Sequence, residues 1–246
     1  MSEPPELSIV LPVYNEADNI LRVLRAIDKA VQTAHEILII YDFDEDSTLP
    51  VVRQHIKEFP SVRSVRNRLG KGVLNALRTG IAQARGAYVL VSMADGSDDP
   101  RDIDPMMAKA RAGAALVAGS RYMRGGRQEG GPRLKQLLSR VAGLTLHLGG
   151  LPIHDPTSNF KLYSRTFLDS ITIESEAGFE LALELSVKAA LGHWPLAEVP
   201  TVWRDRTAGE SRFDLRGWLP HYRRWYVHYF RRRILSRRRR HLASER

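Results

Sequence analysis

The sequence predicts an α/β fold: a mostly parallel sheet flanked by helices, with a basic helix after it. Three observations lead there. Short, wholly apolar runs of strand length alternate with segments whose apolar residues recur at helical spacing. Strands apolar along their whole length suit a parallel sheet covered on both faces, and the alternation builds right-handed βαβ units. Acidic loops follow two of these strands directly, at the edge where open α/β sheets bind ligands. Finally, 246 residues with 43% hydrophobic and 26% charged content suffice for one large, well-buried domain.

Taken in order, Ser8–Val13 is the first strand, and Ile20, Leu21, Val23, Leu24, Ile27 and Val31 form one face of the helix after it. Asp18 and Asn19 mark that helix's start. Glu36–Tyr41 is a second strand, Asp42–Thr48 a polar loop, and Leu49–Phe59 a helix. Val62–Val65 is a short third strand. After the Gly70-Lys-Gly72 turn come a helix over Val73–Ala84 and a central strand over Tyr88–Met93. The Asp95–Pro100 loop precedes a helix over Ile103–Ala112, and Leu116–Gly119 is a further strand. In the second half, Arg133–Leu148 and Phe179–Leu191 are helical by period, and Leu196–Trp203 is a strand interrupted by Pro200. Two units result: the α/β domain over 1–215 and a basic, aromatic tail over 216–246.

Composition narrows the chemistry. With no cysteine there are no disulfides, thiolate zinc sites or cysteine nucleophiles. No basic segment leads into a long apolar stretch near the start, and no run approaches the roughly 18 apolar residues of a spanning helix. The expectation is a soluble or peripheral protein. The net charge of +9 is concentrated at one end: from Arg216 onward, eleven arginines face one acid, Glu245, which leaves the body near neutral. A nucleic-acid groove would spread its cations over the folded body, so nucleic acid is not the expected partner.

The acidic loops are Asp42-Phe-Asp-Glu-Asp46 and Asp95 with Asp98 and Asp99. Like charges gathered at a sheet mouth repel, which a divalent cation or hydrogen bonds to a ribose or base would offset. Magnesium or manganese on a diphosphate takes hard oxygen ligands of this kind. The same aspartates also suit helix caps.

Further motifs stand in a fixed order: Val10-Leu-Pro-Val-Tyr-Asn-Glu16, the strand ending at Asp42, Ala94-Asp95 with Ser97 and Pro100, and Gly119-Ser-Arg-Tyr122. Asp155-Pro-Thr-Ser-Asn-Phe-Lys161 follows, then Arg206 with Gly209 and Ser211. This ordered set, over roughly residues 7–212, resembles family 2 glycosyltransferases of the GT-A type, most of all the dolichyl- or polyprenyl-phosphate hexosyltransferases. The resemblance implies a hexose transfer from a GDP- or UDP-sugar, with inversion. It places Pro12, Tyr14, Glu16, Lys71 and Ala94 around the nucleotide, with Asp42 on the base or ribose. Asp95 is the implied ligand of Mg2+ or Mn2+.

Two departures stand out. The usual Asp-Asp-Gly-Ser reads Tyr41-Asp42-Phe43-Asp44, and the usual Asp-X-Asp reads Met93-Ala94-Asp95, where a thioether is too soft for magnesium. Asp98 and Asp99 are the candidates to compensate. On the acceptor side, Arg121 and Arg206 match family arginines that hold phosphate, work that suits the planar guanidinium fork. An arginine–carboxylate brace is the other reading of both. Lys161 and Arg140 are weaker candidates, and Asp155 stands where the family has a general base or a structural carboxylate.

A sugar hydroxyl must lose a proton to attack, whereas a lipid phosphate is already an anion and needs orientation and charge neutralisation, with little call for a base. The expected acceptor is a polyprenyl phosphate; the alternatives are a sugar hydroxyl of a cell-surface glycan, or a non-catalytic sugar-nucleotide-binding protein. In the tail, Trp218, Tyr222, Trp225, Tyr226, Tyr229 and Phe230 recur at helical spacing among arginines. That pattern fits a helix lying on an anionic membrane surface, peripheral on the cytoplasmic inner face, or a helix docked on the body.

Overall fold

The computed structural model describes residues 4–205 and 215–244. Its centre is a seven-stranded sheet in the order β3-β2-β1-β4-β7-β5-β8. These strands are β1 (Leu7–Pro12), β2 (His35–Tyr41), β3 (Val62–Arg66), β4 (Tyr88–Val91), β5 (Leu116–Ser120), β7 (Lys161–Ser164) and β8 (Leu196–Pro200). All pairings are parallel except those of β7 with β4 and β5. A second sheet pairs β6 (Arg127–Glu129) with β9 (Val202–Arg204).

Helices cover both faces, as the apolar strands require. α1 (Ala17–Ala30) turns Ile20, Val23, Leu24 and Ile27 into the core, with Asp18 in its first turn and Lys29 in its last complementing the helix dipole. Each such aliphatic side chain contributes about 1.5–3 kcal/mol on full burial. α4 (Ile103–Arg111) shares that core, whereas α3 (Val73–Gln83) and α7 (Leu181–Leu191) cover the other face. The remaining helices are α2 (Thr48–His55), α5 (Arg133–Leu148), α6 (Arg165–Asp169) and α8 (Leu215–Ser244).

The expected α/β architecture holds, with local differences; β6 and α6 are additions to the expected elements, and the helix expected over Leu49–Phe59 ends at His55. The Leu196–Trp203 segment is two strands in two sheets, because Pro200 removes an N–H just where the chain leaves β5. Strand β4 ends at Val91, where the Asp98 carboxylate takes over the Met93 N–H. Strand β7, read from sequence only as part of a motif, is the sole antiparallel member of the central sheet among the described residues. Its start therefore lies beside the carboxyl ends of β4 and β5, which brings the 155–160 loop to the ligand-binding edge.

The tail's aromatic face packs inward. Trp225 and Tyr229 are 3% and 0% exposed, and Tyr222, Tyr226 and Phe230 rest on the same core cluster as α7. Of the two readings of this pattern, the structure has the docked helix. The Trp218 side chain lies outside the described residues.

Candidate functional site

At the carboxyl edge, the ends of β1, β2, β4 and β5 hold three connected groups. The first begins with the chain leaving β1. Pro12, in register with Ile40, ends the strand, and Asn15 takes a left-handed conformation, φ 55°. Its N–H donates to Asp46 Oδ2 at 3.1 Å, and its Oδ1 accepts from the Ser47 N–H. The Glu16 N–H donates to Thr48 Oγ1 at 2.9 Å, while the Glu16 carboxylate accepts from Asn19 Nδ2. Asp46, fully buried, thus locks the Tyr14–Glu16 turn onto the loop after β2 and starts α2 by accepting from the Thr48 N–H. Nothing in the reading of the sequence singled out Asp46 for this; Asp-Ser-Thr ahead of a helix was the available signal.

Asp42 follows β2. Its Oδ1 accepts from Asn67 Nδ2 at 2.7 Å and its Oδ2 from the Gly72 N–H at 2.8 Å. The carboxylate therefore fixes the glycine turn in which Gly70 and Gly72 have φ of 105° and 119°, angles that favour glycine. The Gly72 N–H is thus satisfied by Asp42 and is not open to an incoming anion. Lys71 sits exposed on the turn with its Nζ 5.6 Å from the Phe43 ring centre, and Tyr14 meets the same ring edge-on at 5.4 Å. Phe43, present where the family pattern has glycine, thus joins Tyr14 to Lys71. Beside the turn opens a cavity of about 620 Å³ whose walls include Lys71, Gly72, Arg78, Ser175 and Arg224.

The second group follows β4. Ala94 is buried in the core and Asp95 is 6% exposed. Asp95 Oδ1 accepts from the Ser97 N–H, and its carbonyl accepts from Arg22 Nη2, which ties α1 to the loop. Asp98 accepts from Ser92 Oγ at 2.9 Å and the Met93 N–H at 3.0 Å. Burial, reinforced by the Asp95 charge, pushes the Asp98 carboxyl up to about 7. Asp99 is committed elsewhere: it pairs with Arg101 at 2.5 Å and Arg204 at 3.6 Å, and it caps the turn at Pro100. Of the two candidates to stand in for the acid missing at Met93, the geometry leaves Asp98.

No group of three or more metal-holding side chains occurs among the described residues. Asp95 and Asp98, whose charges act on one another, are hard-oxygen groups of the kind that suit Mg2+ or Mn2+, which bind through one or two carboxylates with substrate phosphates and water completing the shell.

The third group follows β5. Arg121 Nε donates to Asp155 Oδ2 at 2.6 Å and its Nη2 to Oδ1 at 2.9 Å. Nη2 also reaches Ser139 Oγ on α5 and Thr157 Oγ1, both at 3.2 Å. These contacts use Nε and Nη2; Nη1 takes part in none of them. Although burial opposes it, the Asp155 charge holds the Arg121 guanidinium above its ordinary range. The same pairing outweighs burial to hold Asp155 below the usual carboxylate range. Asp155, wholly buried, also accepts from the Ser158 N–H and Thr157 Oγ1. Of its two family readings, this is the geometry of a structural carboxylate. Lys161 is equally buried and donates to the carbonyls of Asp155, Pro156 and Ser158; burial lowers it to about 7. It braces the 155–158 loop. Arg140 is exposed on α5.

The groups adjoin: the Arg121 charge offsets part of the Asp98 shift. Arg206 lies outside the described residues. The chain approaches it through Arg204, whose N–H donates to Ser97 O and whose side chain pairs with Asp99 and Glu129. Arg22, Asn67, Ser139 and Arg204 all entered the site through contacts distant in sequence.

A family model described as glycosyl transferase family 2 matches residues 8–172. Dolichol-phosphate mannosyltransferase of Pyrococcus furiosus is 28% identical over 212 residues, which is 84% of this chain and 59% of the relative's length. Polyprenol monophosphomannose synthase of Mycolicibacterium smegmatis is 29% identical over 213 residues, 84% of this chain and 80% of that protein. The Mycobacterium tuberculosis glucosyl-3-phosphoglycerate synthase structure with phosphoglyceric acid superposes at a TM-score of 0.67 and 21% identity. Its complex with Mn2+, UDP and glucosyl-3-phosphoglycerate gives 0.65 and 22%; each comparison covers 93% of this chain and 80% of the other. At such identities the likeness is one of fold.

Proposed function

Since the chain belongs to glycosyl transferase family 2 and has its GT-A fold, we propose that it moves a hexose from a nucleotide sugar to a polyprenyl or dolichyl phosphate at a membrane surface. The observation that carries this reading is the convergence at one sheet edge of the Asp42–Lys71 turn, the Asp95–Asp98 pair and Arg121. The names of the two relatives support a polyprenyl-phosphate acceptor.

In this reading Pro12, Tyr14 and Glu16 line the nucleotide. Phe43 offers its ring to the base, and Asp42 shapes the turn from which Lys71 reaches the diphosphate. Asp95, with Asp98, would hold Mg2+ or Mn2+, whose charge offsets that building on the leaving diphosphate. Arg121 Nη1 and Arg206 orient the acceptor phosphate, whose oxygen attacks the anomeric carbon from the side opposite the departing oxygen. The bond to the diphosphate breaks, its electron pair leaves with that oxygen, and the configuration inverts. No proton needs removal, which agrees with an Asp155 whose oxygens are engaged by Arg121, Thr157 and Ser158. That engagement is also why a sugar-hydroxyl acceptor, with Asp155 as base, is the weaker reading.

The basic C-terminal helix draws the protein to an anionic membrane surface, on the cytoplasmic inner face. No helix among the described residues is long and apolar enough to cross a membrane.

The test is transfer of labelled sugar from GDP- and UDP-hexoses to polyprenyl phosphate. An acid-labile, lipid-extractable product is expected, and Asp95→Asn lowers kcat/KM by about a hundredfold or more. Binding of nucleotide without turnover in Mg2+ or Mn2+ would favour a non-catalytic protein. A full complement of activity in Asp95→Asn would remove Asp95 from the mechanism.

A further inference from the structure

Helix α5 presents an apolar face to solvent. Leu134, Leu137, Leu138, Val141, Leu144 and Leu148 are 38% to 76% exposed, whereas only Gly143 and Leu146 of this helix are buried. At α-helical geometry the six exposed residues fall within an arc of about 120° and run along about 21 Å. The buried pair lies on the opposite side. A surface stripe of this size on a globular domain marks a contact site.

Its surroundings identify the partner. Arg133 and Arg140, both exposed, lie along one flank of the stripe. On the other flank α8 is held against α5: Tyr226 OH donates to Thr145 Oγ1 at 3.0 Å. Farther along, Phe230 and Arg233 lie so close to Gly149 and Gly150 that a Cβ at either glycine would strike them. Just past that contact α8 exposes Ile234 and Leu235, together with Arg231 and Arg232. Apolar side chains on a surface rimmed by arginine complement acyl chains and anionic headgroups.

We propose that α5, with the exposed end of α8, is the lipid-facing surface of this protein, and that its Leu/Val stripe inserts into the interface of an anionic bilayer. The aromatic face of α8 is excluded from that role because it is already buried on the body. The opposite side of α5 carries Ser139, bonded to Arg121 and Thr157, so one helix separates the bilayer from the Arg121 group. Use of this placement to receive a lipid phosphate rests on the proposed transfer reaction. The lipid contact itself does not.

The experiment is co-sedimentation of the full chain with vesicles of phosphatidylcholine and phosphatidylglycerol in equal parts. Wild type is expected to bind, and the triple variant Leu137→Gln/Val141→Gln/Leu144→Gln to lose binding at least about tenfold. The thermal shift given by soluble nucleoside diphosphate is expected to be unchanged in that variant, which separates this test from the donor-site reading. The chain has no cysteine, so Leu144→Cys can carry an environment-sensitive dye at that position alone, an independent check on folded protein. Its emission is expected to shift to the blue with vesicles and to be quenched by acyl-chain-brominated lipid. Wild-type binding by the triple variant, a dye that brominated lipid leaves unquenched, or no binding by wild type would each overturn the proposal. So would a lipid-free dimer that the triple variant converts to monomer, because the stripe would then be a self-association face.

Discussion

Replacing Arg121 with methionine keeps most of the side-chain volume but removes the charge that compensates Asp155. The carboxylate has no solvent exposure, and its two oxygens receive Arg121 Nε and Nη2 at 2.6 and 2.9 Å. Removing one partner of such a pair costs about 3–5 kcal/mol, because the other charge stays buried without it. The Lys161 charge also acts on Asp155, as do hydrogen bonds from the Ser158 N–H and Thr157 Oγ1, so the lower end applies, about 3 kcal/mol. For a chain of this size that is a fall in Tm of about 6–12 °C. The double variant Arg121→Met/Asp155→Leu, which buries no charge, should recover most of the loss.

The pH dependence has a definite sign. The folded-state pKa of Asp155 is depressed, so its contribution is present above the unfolded carboxylate pKa and is lost as pH falls through the lower folded value. The difference in Tm between wild type and Arg121→Met should therefore be full at neutral pH and shrink in acid. Circular-dichroism melts across pH measure both effects. An unchanged Tm in Arg121→Met at neutral pH would refute the brace and leave Arg121 to substrate alone.

Asp42→Ala leaves the Gly72 N–H without its acceptor and Asn67 Nδ2 with only the Gly70 carbonyl, so a loss of about 1 kcal/mol is expected in denaturant unfolding, together with a weaker thermal shift from nucleoside diphosphate. Phe43→Ala should raise the donor KM near fivefold, corresponding to about 1 kcal/mol of aromatic contact, with kcat unchanged in steady-state assays. Gly143→Ala places a methyl group against the His154 carbonyl oxygen; prying α5 from the 154–158 loop should cost about 1–3 kcal/mol in chemical denaturation.

Much of the donor half was legible in the sequence. Strand and helix periods, the Gly70-Lys-Gly72 turn and the two acidic strand ends are local patterns, and backbone geometry makes them binding on the chain. They placed Asp42 and Asp95 on one sheet edge before any contact was known, and the family resemblance added Pro12, Tyr14 and Lys71. What joins these residues was not legible. Asp46 reaches Asn15 across 31 residues, Asp42 reaches Gly72 across 30, and Arg121 reaches Asp155 across 34. Each carboxylate could have met several cations, and only the packed chain assigned Asp99 to Arg101 and Arg204 while leaving Asp98 beside Asp95.

The two amphipathic helices divide the same way. The sequence by itself determined that α5 and α8 each carry a continuous apolar or aromatic face, because the helical period places those side chains on one side. Which face would be covered was decided by tertiary structure alone. The aromatic side of α8 is buried beside α7, and α5 is left with its leucines in solvent because it rests on the body through Gly143 and Leu146. Periodicity states that a surface is apolar; only the shape of what lies opposite decides whether the protein or something outside it removes that surface from water.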